Sequence, residues 1–79
     1  MIDFKITVQL TTEGGQKLVF NDVVTCTSAR SALSTFLDHI PILQHAINSE
    51  AQTTIESMFD NPTTTHANVA GVTVDVIAI

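Results

Sequence analysis

The sequence predicts an α+β fold in the order β-β-α-α(-α)-β, with a three-stranded sheet and helices packed on one of its faces. Three observations lead there. Ile2, Phe4, Ile6, Val8 and Leu10 alternate with polar residues, the period of a strand covered on one side only. Ala29, Ala32, Leu33, Phe36, Leu37 and Ile40 recur at spacings of three and four, the period of a helix with one apolar stripe. Val72, Val74 and Val76 then restore the period of two at the end of the chain. Two layers around one core are the simplest way to bury these faces.

The elements follow in order. After the first strand, the glycines of "TEGGQ" supply the positive φ of a hairpin, and "KLVFNDVVTCT" returns as the second strand. Leu18 and Phe20 fit one face, but the same parity would turn Asp22 inward. A bulge at Asn21-Asp22 would turn the carboxylate out and bring Val23 in. Ser28 or Thr27 caps the first helix, whose apolar residues fall within about 140° of arc. Pro41 ends that helix near His39 and opens a second, because the residue before proline avoids helical geometry and proline suits a first turn.

On the second helix Ile42, Leu43, Ala46 and Ile47 form the apolar side. An unbroken helix to Phe59 would place Ala51, Ile55, Met58 and Phe59 about 135° away from them. A break at Asn48-Ser49 resolves this, with Ser49 and Gln52 as a capping box. A single long helix held between core and partner is the rival arrangement. "DNPTTTHAN" reads as a loop containing His66. The last strand, apolar on both faces at its end, enters beside the first strand and parallel to it, or else beside the second.

The 79 residues make a single domain, 1–79. Scaling predicts about 4,600 Å² of folded surface, so the core is thin. With 44% apolar and only 14% charged residues, part of the apolar surface must face outward, which points to a homo-oligomer. Eight acids against Lys5, Lys17 and Arg30 leave a net charge of −5, and there is no Trp or Tyr. Direct nucleic-acid binding is thereby disfavoured, since phosphates are held by clustered cations beside stacking aromatics. An acidic surface suits a protein partner, possibly a basic one. No segment has the length of a membrane span, and "MIDFKITVQL" lacks the pattern of a signal peptide, so a soluble cytoplasmic protein is expected.

Chemistry is sparse. "DHIPILQH" gathers Asp38, His39 and His45, but the histidines sit on different helices across a corner and lack the i, i+4 spacing of a helical metal pair. Cys26 is the one cysteine, with no adjacent base, and is read as a buried thiol. "EGG" precedes a strand, whereas phosphate loops open helices. The carboxylates are dispersed. No catalytic residue, cofactor or metal is expected, and the function class is binding. Candidate partner contacts are Asp38 and His45 at the corner, with Glu50 and Glu56 on the helical face.

A short chain that opens "MIDFKITVQL", turns through a Gly-Gly hairpin and continues "TSARSALSTFL" resembles the small virus-encoded accessory proteins of the anti-CRISPR type. Such a resemblance implies a compact α+β domain that inhibits a host defence complex by binding it. The likeness is one of layout, so it assigns a role to no individual residue. The alternatives are a self-associating structural or accessory subunit, and a small-ligand binder with its pocket at a dimer interface.

Overall fold

The computed structural model describes all of residues 1–79. Strands β1 (Ile2–Thr11) and β2 (Lys17–Cys26) form a hairpin, followed by helices α1 (Ala29–Asp38), α2 (Pro41–Ala46) and α3 (Ser49–Met58). A second hairpin, β3 (His66–Val69) and β4 (Val72–Ala78), completes the chain. The α+β class and the single helical layer are as the sequence predicts, but the sheet has four strands, not three. Its order is β2-β1-β4-β3.

The extra strand lies in the segment read as a loop. His66–Val69 pairs antiparallel with β4 across a two-residue turn at Ala70-Gly71. Both turn residues have positive φ, 52° and 79°, the combination of a type I′ turn. The final strand does sit beside β1, but antiparallel to it, because the second hairpin reverses the chain once more. Alanine is strained in a left-handed position, whereas asparagine tolerates it. Ala70→Asn is therefore expected to raise stability by up to about 1 kcal/mol, measured as a shift in the urea midpoint at constant slope.

The first hairpin turns through Glu13, Gly14 and Gly15. The Gly15 N–H donates to the Thr12 carbonyl (2.9 Å) and the Thr12 N–H to the Gln16 carbonyl (2.8 Å). Only Gly15 uses a positive φ, 81°. From that closing pair the β1–β2 register runs without interruption from Thr11↔Lys17 to Ile2↔Cys26. The bulge expected at Asn21-Asp22 does not occur: Asp22 pairs with Ile6 and shares the helix-facing side of the sheet with Leu18, Phe20 and Val24.

The core lies between that face and the helices. Phe4, Ile6, Val8 and Leu10 of β1 and Val72, Val74 and Val76 of β4 meet Ala32, Leu33, Phe36 and Leu37 of α1. Leu43, Ile47, Ala51, Ile55 and Phe59 extend it along the helical layer. The total surface, 4790 Å², is close to the value expected for this mass.

Two breaks fold the helical layer back on itself. Ile40, before Pro41, is extended at φ −118° and ψ 98°, and the Gln44 side chain donates to the Asp38 carbonyl (2.9 Å) across the corner. Between α2 and α3, Ile47 and Asn48 are both extended. These two residues reset the helical phase, so Leu43 and Ile47 face the same core as Ala51, Ile55 and Phe59. Ile42 and Ala46, assigned to the apolar side of α2, are instead exposed, as is Met58.

The cap of α3 also shifts by one residue. The Asn48 carboxamide oxygen accepts the Ala51 N–H at 2.7 Å, so Asn48 is the N-cap and Ser49 the first helical residue. Ser28 caps α1 as expected, accepting from the Ser31 N–H at 3.2 Å. Asn48→Ala is expected to cost about 1 kcal/mol. Ser49→Ala should be near neutral in the same denaturation experiment, because its hydroxyl is not the cap.

Candidate functional site

The notable surface lies along the outer side of β2. Alternation in an antiparallel ladder decides which backbone groups are free there. The Thr12–Gln16 closing bond turns the even residues of β1 towards β2, and the Ile79 N–H to Asp3 carbonyl bond (2.9 Å) turns the odd ones towards β4. In β2 the even residues therefore bond to β1. Lys17, Val19, Asn21, Val23 and Thr25 present their N–H and C=O groups outward, with no strand beyond them.

Beside this edge, between β2 and the carboxyl end of α1, runs an open groove of about 710 Å³. Its floor is apolar: Phe20 and Val24 from the strand, Phe36 and Ile40 from the helical side. Thr35 and His39 add polar groups. The His39 Nδ1–H donates to the Thr35 carbonyl at 2.7 Å, which leaves Nε2 of the neutral ring as an acceptor. The groove exists because α1 covers β2 only in part: Leu18, Phe20, Val24 and Cys26 pack against the core, yet no residue of β2 is fully buried.

Asp22 is the only carboxylate lining this groove. Its place on the helix-facing side needs no bulge, since that part of the face is open to solvent. Its Oδ1 accepts the N–H of Val23 at 2.7 Å, so it engages one of the outward edge amides with its own side chain. An inward-pointing charge at an edge is a known protection against indiscriminate strand pairing.

The opposite face of the sheet carries no helices. Thr25 donates to Asp3 at 2.6 Å, and the His66 Nδ1–H donates to the Asp75 carboxylate at 2.8 Å. His66 thus has a cross-strand partner nine residues away. Among these polar groups stand Val19, Val23, Ile77 and Ile79, each roughly half or more exposed.

The four residues proposed from sequence do not converge. Asp38 ends α1, His45 lies in the last turn of α2 and Glu50 in the first turn of α3, all exposed. Glu56 is half-buried and faces Arg30, whose guanidinium bonds Asp60 at 2.6 Å between α1 and the end of α3. That hydrogen bond, with the charge of Asp60 and then of Glu56, raises the Arg30 pKa above its ordinary value. Cys26 is half-buried, 3.9 Å from the Thr35 hydroxyl. No three His, Cys, Asp or Glu side chains are grouped as a metal site would require. None of the helices is long and apolar enough to cross a membrane.

The residues missed from sequence are Asp22 and the odd residues of β2. Their one local signal is the inward parity of Asp22 on β2, which fits a face open to solvent there; that β2 is the edge follows from the sheet order. Comparison with protein-family models, with curated proteins and with solved structures finds no match to this chain.

Proposed function

We propose that this chain is a non-catalytic protein-binding module that presents the outer edge of β2 and the adjoining groove to a partner protein. The observation that carries the reading is the coincidence of five outward-facing edge residues with an apolar groove of about 710 Å³. An edge supplies backbone hydrogen bonds, and flanking pockets supply side-chain selection. The net charge of −5 favours a basic partner protein over a nucleic acid. Asp38, His45, Glu50 and Glu56 are proposed as peripheral contacts on the helical side.

In its specific form, suggested by the resemblance to anti-CRISPR-type accessory proteins, the partner is a defence complex in the host cytoplasm and binding inhibits it. The test is target cleavage by a panel of purified CRISPR effector complexes, with and without a tenfold excess of the protein. Loss of cleavage in one of them, relieved by blocking the β2 edge, supports the reading. Unchanged cleavage across the panel removes the inhibitor form.

A second reading is favoured by a separate observation. Ile77 and Ile79 stand exposed side by side at one end of the helix-free face, with Val23 across Lys5 from Ile77, apolar surface that a homo-oligomer would cover. Light scattering decides it: a mass of 8.5 kDa at all concentrations rejects self-association, and a multiple of it supports an oligomer.

A further inference from the structure

We infer that the β2 edge takes an extended segment of the partner as a fifth strand, and that the Asp22 carboxylate selects a lysine or arginine on that segment. The inference rests on the docking surface proposed above and specifies its chemistry. An incoming strand would bond to Lys17, Val19, Asn21, Val23 and Thr25, while its alternate side chains enter the groove beside Phe20, Asp22 and Val24. The side chain beside Asp22 meets the only carboxylate there, flanked by apolar surface on both sides. The complementary pattern is apolar, any, basic, any, apolar.

Asp22 also gates the site. In the free protein its carboxylate holds the Val23 N–H, which an added strand needs for its own carbonyl. A cation on the incoming segment draws the carboxylate away and releases that amide. A segment with a neutral or acidic residue at this position must break the Asp22–Val23 bond without compensation, or bring two negative charges together.

Charge also argues against a second copy as the occupant. The helix-facing residues of β2 are Leu18, Phe20, Asp22, Val24 and Cys26, with no cation among them. In an antiparallel two-fold pairing of two β2 edges, Asp22 would meet Leu18, Phe20, Asp22, Val24 or Cys26 of the copy, never a cation, and each protomer brings a charge of −5.

The experiment titrates the isotope-labelled full chain with two capped heptapeptides, threonine-valine-threonine-X-threonine-valine-threonine, where X is lysine or glutamate, and follows the amide spectrum. The lysine peptide is expected to shift Lys17 to Thr25 and to bind roughly tenfold more tightly than the glutamate peptide. In Asp22→Asn, which keeps an acceptor for the Val23 N–H, that preference should fall below about twofold. Equal binding of both peptides at β2 in the wild type would overturn the selection by Asp22 and leave the docking surface standing. Absence of shifts in β2 at millimolar peptide would overturn strand addition itself, and β2 shifts that depend on protein concentration alone would make a second copy the occupant.

Discussion

Leu33→Ala is expected to destabilise the protein by about 3 kcal/mol. Leu33 is completely buried, at the centre of the helix that covers β1, β2 and β4. Removing its branched end loses the transfer free energy of three carbons and leaves a cavity that a short helix pinned at both ends cannot close. Ser28 fixes its start and the Pro41 corner its finish. For a domain of this length the whole stability is about 4 to 12 kcal/mol, so such a loss is a quarter of it at least. Ile42→Ala should change stability by no more than about 0.5 kcal/mol, because Ile42 is 51% exposed. Urea denaturation of both variants checks the contrast. Similar midpoints would mean that α1 does not pack on the sheet as described.

That contrast also shows how far local pattern reaches. The β1–β2 hairpin, α1, the proline corner and the break before α3 were legible because each depends on neighbours within one or two turns of chain. Ile42 was misassigned because helical phase is ambiguous over a six-residue helix, and only packing selects Leu43 and Ile47. The strand at His66–Val69 was illegible for a different reason. It has one fully buried residue, Ala67, and its turn uses alanine where asparagine or glycine gives the usual signal. Its His66–Asp75 contact joins residues paired only by that turn.

Asp22 is the instructive residue for the candidate site. Alternation placed it on the inner face correctly, and the error lay in assuming that an inner face is always covered. Nothing local says which strand is the edge, since that depends on the final hairpin inserting β4 against β1 and leaving β2 outside. The bulge was an answer to a conflict that topology had already removed. Glu56 is half-buried beside Arg30, while periodicity reveals the exposure of Asp38, His45 and Glu50. Convergence it does not reveal, and they are spread over three helices.

Proline placed at adjacent positions of β2 should separate folding from binding. Asn21 turns its N–H outward, so Asn21→Pro removes a group that no strand of the protein uses. Edge strands accept proline there, and Phe20 before it is already extended. The expected cost is about 1 kcal/mol, while the ring and the missing donor obstruct any strand added outside. Binding of the lysine heptapeptide should weaken at least tenfold, roughly the loss of one backbone hydrogen bond plus steric exclusion. Phe20 lies on the opposite parity and bonds to Val8 of β1. Phe20→Pro should therefore cost about 3 kcal/mol beyond Phe20→Ala, since it removes an internal ladder bond. Peptide affinity and urea midpoint, measured on all three variants, distinguish the cases. If Asn21→Pro binds as the wild type does, the partner does not add to this edge, and the groove beside β2 loses its claim to be the docking surface.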